Sequence, residues 1–256
     1  MLETYDDTVA QLRSAGCVFA EEEAELLLAA AAGSDVVELV RRRVAGEPLE
    51  AILGWADFAG QRILVDPGVF VPRRRTSHLA AVAAGLVAGR EAPTAVDLCC
   101  GTGAIGAVLL ARVPGLRLVA TDLDPAAVAN ARRNLPGAEV VLGDLFSALP
   151  HDLRGRVDVL AVNAPYVPTR AIATMPPEAR DHERTMALDG GADGLDVHRR
   201  VAADAPGWLR PGGHLVIEVG TGQVDTALGM FRDAGMVAHV EVDDDLDATV
   251  IVGGHR

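Results

Sequence analysis

Val96-Asp97-Leu98-Cys99-Cys100-Gly101-Thr102-Gly103 reads as an apolar strand that runs directly into a glycine loop. Helical periodicity begins at Ala104, so the loop sits between a strand end and a helix start. Glycines at such a place let backbone approach a ligand, and the helix N-terminus favours an anionic group. A second stretch, Val162-Asn163-Ala164-Pro165-Tyr166, ends another apolar run in a polar residue, a proline and an aromatic. Two such strand ends imply an open sheet with its ligand site beyond the carboxyl ends of the strands.

Around these two stretches, strands and helices alternate from residue 76. Helices are expected at 78–88, 104–112, 125–134, 197–209 and 224–234. Strands are expected at 95–98, 116–121, 140–142, 157–162 and 214–219, with Pro211-Gly212-Gly213 as a turn before the last of these. Segments 237–242 and 249–252 can close the sheet as an antiparallel pair. The expected fold class is therefore α/β: a Rossmann-like, doubly wound, mostly parallel sheet covered by helices on both faces. The acidic run Asp243-Asp244-Asp245 with Asp247 reads as a solvated loop.

Upstream, Leu2, Tyr5, Val9 and Leu12 recur at helical spacing. Glu21, Glu22, Glu23 and Glu25 fit the first turns of a second helix, which Gly33 would end. Asp35 can cap a third, with Glu38 three residues on and Gly46 closing it. Between 55 and 71, short β-type runs are broken by Gly60 and by Asp66-Pro67-Gly68, as in a β-hairpin connector. The expected organisation is a helical unit at 1–50, a connector at 51–75 and a main domain at 76–256. The alternative is that the first helices merely extend the main domain.

Half of the 256 residues are hydrophobic but only 4% are aromatic, so the core must be built from Ala, Val and Leu. The net charge is −13, which weighs against general nucleic-acid binding, because phosphate contacts supply most of that affinity. All 23 basic residues are arginine. The runs Arg41-Arg42-Arg43 and Arg73-Arg74-Arg75 are the candidates for a basic patch, and solvated faces are the plainer reading. Cys17, Cys99 and Cys100 form no disulfide framework and no zinc spacing. The acidic start resembles no secretory signal, and no apolar stretch is long enough to span a bilayer; 26–32 is the longest. A reducing, cytoplasmic setting is the default expectation.

The glycine loop satisfies Gly101-x-Gly103-x-x-Gly106, a pattern shared with nicotinamide-binding enzymes. Asp122 closes the second strand, where a carboxylate can accept both ribose hydroxyls of a nucleotide-like cofactor. Asp144, in Gly143-Asp144-Leu145-Phe146, can accept an adenine amino group. Either aspartate can instead cap the following turn or helix.

Asn163 offers a side-chain oxygen and Ala164 a carbonyl, two acceptors suited to both N–H bonds of an NH₂ group. Pro165 stiffens the turn and Tyr166 offers a flat face. Accepting both N–H bonds raises electron density on a planar nitrogen and stabilises the charge that develops there. The plain alternative is an Asn-initiated turn with a packed tyrosine. With the loop upstream, the combination points to methyl transfer from S-adenosylmethionine to nitrogen.

At these residues the chain resembles the HemK/PrmC-type protein-glutamine methyltransferases, class I methyltransferases that modify the Gly-Gly-Gln glutamine of peptide-chain release factors. The likeness extends over Glu47-Pro48-Leu49, Ile52-Leu53-Gly54, Phe58 to Gly60, Asp66-Pro67-Gly68-Val69 and Val71-Pro72-Arg73. Further on it includes Ala187-Leu188-Asp189-Gly190-Gly191, Asp193-Gly194-Leu195, Pro211-Gly212-Gly213, Glu218-Val219-Gly220 and Gln223. The resemblance implies that the backbone of Cys99, Cys100, Gly101, Thr102 and Gly103, with Asp122 and Leu145, contacts the cofactor. It implies that Asn163, Ala164, Pro165 and Tyr166 receive the glutamine amide, and that the N-terminal helices grip a protein substrate.

Three departures stand out. The family's Asn-Pro-Pro-Tyr has Ala164 at its second position, its first loop glycine is Cys99, and its acidic segment is replaced by Arg74-Arg75-Thr76-Ser77. An N-methyltransferase for a small amine, amide or nucleobase therefore stays open. So do a nicotinamide-dependent oxidoreductase and a catalytically silent cofactor-binding protein.

Overall fold

The computed structural model describes residues 4–31 and 35–255. Leu2, Ala32 and Gly33 lie outside the described residues. Four helices come first: α1 (Tyr5–Ser14), α2 (Ala20–Ala30), α3 (Val36–Val44) and α4 (Leu49–Leu53). Thr4 caps α1 by accepting from the Asp7 amide, and the Asp7 carboxylate answers the Thr4 amide. Asp35 caps α3 through the Val37 amide; Glu38 pairs with Arg41 instead of completing a capping box. Leu12, Ala24, Leu27 and Val40 close a small core of their own between α1, α2 and α3.

A hairpin follows, β1 (Trp55–Phe58) and β2 (Gln61–Leu64), joined through Ala59 and Gly60. Both turn residues take positive φ, 53° and 78°, the geometry of a two-residue hairpin loop matched to strand twist. Asp66-Pro67-Gly68 is a separate turn beyond the hairpin, closed by the Val69 amide on the Asp66 carbonyl.

The rest is one seven-stranded sheet. Its elements are α5 (Thr76–Val87), β3 (Thr94–Leu98), α6 (Ala104–Arg112), β4 (Arg117–Asp122), α7 (Pro125–Asn134), β5 (Glu139–Leu142) and β6 (Val157–Val162). After β6 come α8 (Thr169–Ile172), α9 (Pro177–His182), α10 (Asp196–Asp204), β7 (Leu209–Glu218), α11 (Val224–Asp233), β8 (Val237–Asp243) and β9 (Ala248–Gly254). The strand order is β5-β4-β3-β6-β7-β9-β8, with only β9 running against its neighbours. The doubly wound reading with an antiparallel last strand is borne out. Side-chain alternation divides the core: Ala95, Val159 and Ala161 face α5 and α6, while Val96, Leu98, Leu160 and Val162 face α10 and α11.

Two expectations need correction. The helix expected at 197–209 ends at Asp204, where Ala205-Pro206-Gly207 tightens into a 3₁₀ turn. Pro211-Gly212-Gly213 lies within β7, at a register shift between the pairs Val157–Leu209 and Val159–His214. Gly213 has no room for a side chain, since a Cβ there would stand 2.7 Å from the Val157 carbonyl oxygen.

The hairpin is clipped to the sheet domain by α7. Asn130 and Asn134 Nδ2 each donate to the Leu64 carbonyl at 2.9 Å, and Asn134 Oδ1 accepts the Leu64 amide. The N-terminal helices are tied in by Arg43, which donates to Glu23 of α2 and, at 2.6 Å, to Glu178 of α9. Arg43 is therefore a buried, paired cation, not part of a solvated basic face.

Candidate active site

A cavity opens over the carboxyl ends of β3, β4, β5 and β6. Its wall includes Cys99, Gly101, Asp122, Asp144 and Leu145 together with Asn163, Ala164, Pro165 and Tyr166. The glycine loop and the polar turn, about sixty residues apart, thus share one space because β3 and β6 are neighbours. Cys100, Thr102 and Gly103 stand behind the wall. Cys100 donates its amide to the Thr121 carbonyl, Thr102 takes Asn134 Nδ2 on its carbonyl, and Gly103 starts α6.

The loop turns sharply. Cys99 and Gly101 have φ of 57° and 54°, and a Cβ on Gly101 would meet nothing within 4 Å, so bare backbone faces the cavity. Gly106 serves packing instead. A side chain there would stand 2.9 Å from Leu118 Cδ2, so glycine keeps α6 close to the sheet. Asp122 Oδ2 accepts the Gly101 amide and Oδ1 the Asp124 amide, both at 2.9 Å. Burial raises its carboxyl above the usual value, opposed by those amides. Leu123, exposed beside it, and Leu145, at φ 49°, supply flat apolar walls. These features fit a nucleoside-bearing cofactor: an acid for ribose, bare backbone at a helix start, and apolar faces for a base. Asp144 is bound by Arg200 at 2.6 Å. Burial first, then Asp122 and its acidic neighbours, push the Cys99 and Cys100 thiols up. Both stay protonated at neutral pH, which makes them poor nucleophiles.

At the other end of the cavity, Asn163 Nδ2 donates to Thr76 Oγ1 at 3.1 Å. That fixes the carboxamide with its amino side on α5. Among the described residues no donor is assigned to Asn163 Oδ1 or to the Ala164 carbonyl. Two acceptors at the head of β6 are thus unspent beside the cavity. The Tyr166 hydroxyl donates to Glu218 Oε1 at 2.9 Å, which sets the ring. Burial, then the Glu218 charge, push this phenol above its ordinary value, so it remains a donor.

The turn is braced from behind. Gln223 Nε2 donates to the Tyr166 and Asp193 carbonyls, and its Oε1 accepts the Gly220 amide, each at 2.9 Å. A Cβ on Gly194 would sit 2.2 Å from the Tyr166 carbonyl oxygen, so loop 189–194 packs bare backbone on the turn.

Other wall residues carried no role in the sequence reading: Phe70, Met175, Met186, Arg184 and, from the second arginine run, Arg73 and Arg75. Arg73 binds Glu183 and Arg75 leans on Glu218, while Arg74 and Arg75 stay exposed, so the run is a solvated face with two of its three cations paired. Among the described residues, Arg74 alone of the three has no ion pair. Thr76 and Glu218 are partners of the turn whose roles depend on contacts between distant elements. Gln223 and Glu218 were visible only as residues of a familiar run.

The family model described as "Methyltransferase small domain" matches residues 61–176. A release factor glutamine methyltransferase of Geobacter sulfurreducens is 36% identical, covering 97% of this chain and 94% of that protein. A 4-amino-L-phenylalanine/4-methylamino-L-phenylalanine methyltransferase of Streptomyces pristinaespiralis is 39% identical over 78% of this chain and 70% of its own length. Among solved structures, a methyltransferase from Pyrococcus furiosus superposes with a TM-score of 0.56 at 16% identity, over 77% of this chain and 89% of that one. That last likeness speaks to the fold.

Proposed function

Because the chain belongs to the release factor glutamine methyltransferase family, we propose that it methylates the side-chain amide nitrogen of a protein glutamine, in the Gly-Gly-Gln motif of a peptide-chain release factor. The observation that carries this reading is the unspent pair of acceptors, Asn163 Oδ1 and the Ala164 carbonyl, at the cavity wall.

S-adenosylmethionine is the methyl donor, and when bound it supplies an electrophilic methyl carbon on a sulfonium. Asp122 would hold its ribose, the backbone at Cys99 and Gly101 its amino-acid end, with Cys100, Thr102 and Gly103 shaping that loop from behind, and Leu123, Asp144 and Leu145 its base. Asn163 Oδ1 and the Ala164 carbonyl would each accept one N–H of the acceptor amide. An amide lone pair is delocalised and weakly nucleophilic. Two acceptors raise its electron density and stabilise the positive charge on nitrogen as the new C–N bond forms. When bound, the cofactor would supply the methyl and keep the C–S electron pair on its sulfur, and the surplus proton would leave the acceptor nitrogen afterwards. Fixing the amide beforehand removes much of the orientational cost. No side chain of the turn needs to act as a strong base.

Residues 1–50 are read as the unit that grips the protein partner, 51–75 as the connector and 76–256 as the catalytic domain. The separate apolar core of α1, α2 and α3 supports that division. Among the described residues no helix is long and apolar enough to cross a membrane. Three free cysteines suit a reducing cytoplasmic setting.

A second reading is supported by the Streptomyces pristinaespiralis relative, whose name describes a small amino acid as acceptor. In it the same two acceptors hold an aryl amine. Incubation with methyl-labelled adenosylmethionine, a purified release factor and 4-amino-L-phenylalanine separates the two. Label on the glutamine nitrogen supports the first; label confined to the small amine overturns it.

A further inference from the structure

Four arginines line the cavity: Arg73, Arg75, Arg184 and Arg200. Three are committed to carboxylates through their terminal nitrogens. Arg73 Nη2 lies 2.7 Å from each Glu183 oxygen, Arg184 Nη1 3.0 Å from Asp124, and Arg200 Nη2 2.6 Å from Asp144. Arg75 differs. Only its Nε reaches an acid, Glu218 Oε1 at 3.3 Å; its other polar neighbour is the Tyr166 hydroxyl, and no acid is assigned to its Nη atoms among the described residues. Its side chain stays 43% exposed, whereas Glu218 is 1% exposed.

Arg75 is also held in place. Its guanidinium carbon lies 5.8 Å from the Tyr166 ring centre, and the Tyr166 hydroxyl shares the same Glu218 oxygen. One buried carboxylate thus sets both the phenol that flanks the acceptor turn and the guanidinium beside it. A guanidinium anchored through Nε keeps its two-nitrogen edge available, and that edge matches a carboxylate in a planar, two-point contact. The acids on the cavity wall do not compete for it: Asp124 and Asp144 have arginine partners and Asp122 takes two backbone amides.

We infer that the methyl acceptor bears a carboxylate that docks on the Nη edge of Arg75 while its NH₂ group lies against Asn163 and Ala164. This inference rests on the acceptor role proposed above for the Asn163 turn. The carboxylate has two possible sources with the same chemistry: an acidic or C-terminal residue near the glutamine of a polypeptide, or the α-carboxylate of a free amino acid.

The test uses matched probes with and without the charge. Enzyme loaded with S-adenosylhomocysteine is titrated with N-acetyl-L-glutamine and its neutral amide, and with 4-amino-L-phenylalanine and its neutral amide. Binding is followed by calorimetry and by the ¹⁵Nε resonance of Arg75. At least one carboxylate probe should bind roughly tenfold tighter than its amide and shift that resonance, as a two-point charged contact requires. Arg75→Gln should erase the preference by weakening the carboxylate member alone, and Arg75→Lys should restore part of it. Equal affinity within both pairs, no saturable binding of either carboxylate, or an equal loss for both members of a pair in Arg75→Gln would overturn the inference. The two pairs identify the source of the carboxylate. In parallel incubations with methyl-labelled adenosylmethionine, transfer to both members of the glutamine pair, with no charge preference, sinks the Arg75 inference and leaves the glutamine reading standing. A carboxylate preference through Arg75 with label only on the aryl amine does the reverse.

Discussion

Asn163 Nδ2 donates to Thr76 Oγ1 at 3.1 Å, which leaves the carboxamide oxygen without an assigned donor among the described residues. The head of α5 thereby holds the side chain at the end of β6. With the amino side occupied, the oxygen is left to accept. Thr76 is buried at 3% exposure, so its hydroxyl has little access to water as an alternative partner.

Thr76→Val should therefore let the carboxamide flip. The expected result is a fall in kcat of roughly tenfold or more, the scale of losing one preorganised contact. Thr76→Ser keeps the hydroxyl and should retain most activity. Adenosylmethionine affinity, measured by calorimetry, should be unchanged in both.

Asp122 is the residue proposed to hold the cofactor's ribose. Its carboxylate holds the Gly101 and Asp124 amides and faces the cavity. Asp122→Ala should weaken adenosylmethionine binding by roughly ten- to a hundredfold, the scale of hydrogen bonds to a charged group. An unchanged dissociation constant would remove Asp122 from the ribose role.

Gln223 braces the acceptor turn through three hydrogen bonds. Gln223→Leu leaves two carbonyls and an amide without those partners, which should cost about 1–3 kcal/mol of stability for each group left buried. In enzyme that remains folded, kcat should fall while cofactor affinity holds. Gly194→Ala should do the same through a clash with the Tyr166 carbonyl oxygen.

His198 gives a pH signature. It is buried, and its ring accepts or donates only at Nε2, to the Glu218 carbonyl; a carbonyl requires Nε2–H, so Nδ1 is the bare nitrogen. Burial lowers its pKa from 6.5 to about 4, against the pull of that carbonyl. As pH falls below 6.5 the unfolded chain binds this proton first. The stability His198 contributes is therefore whole above 6.5 and is lost on the way to 4. At pH 5 the loss is on the order of 2 kcal/mol. Asp97 has the opposite slope, since burial raises its carboxyl to about 7. Comparison with His198→Leu isolates the histidine: the drop in Tm between pH 7 and 5 should be larger in the parent chain than in the variant.

The buried Arg43 joins Glu23 and Glu178 across the boundary between the N-terminal helices and α9. Arg43→Ala strands the Glu23 carboxylate and should destabilise by about 3 kcal/mol, whereas Arg43→Met should cost less because it fills the space. Chemical denaturation of the three chains measures both.

The sheet was legible in the sequence because its central strands are buried on both faces. Val157–Val162 is apolar but for Asp158, and its bounds followed directly from that run. The helices α6 and α7 were equally plain, bounded by Gly103 and by Asp124-Pro125. The start of β7 was hidden, because Pro211-Gly212-Gly213 has the composition of a turn and only pairing with Val157 and Val159 makes it a bulged strand. The Asn163 turn could be singled out from its residue types, and it lies on the cavity wall. Its supports could not: Arg75 meets Glu218 at a separation of 143 residues and Thr76 meets Asn163 at 87. Nor does a row of three arginines announce that two of them will face buried glutamates.

The sharpest check on the Asn163 turn is single-turnover transfer of labelled methyl from adenosylmethionine to a purified Gly-Gly-Gln release factor, with the modified atom identified by mass spectrometry. It is run with the parent chain and with Asn163→Ala, and cofactor affinity is measured alongside. Label is expected on the glutamine side-chain nitrogen, with a rate lower by roughly a hundredfold in the variant and a nearly unchanged adenosylmethionine dissociation constant. An undiminished rate in Asn163→Ala, or a loss explained wholly by weaker cofactor binding, would refute the acceptor role of this turn.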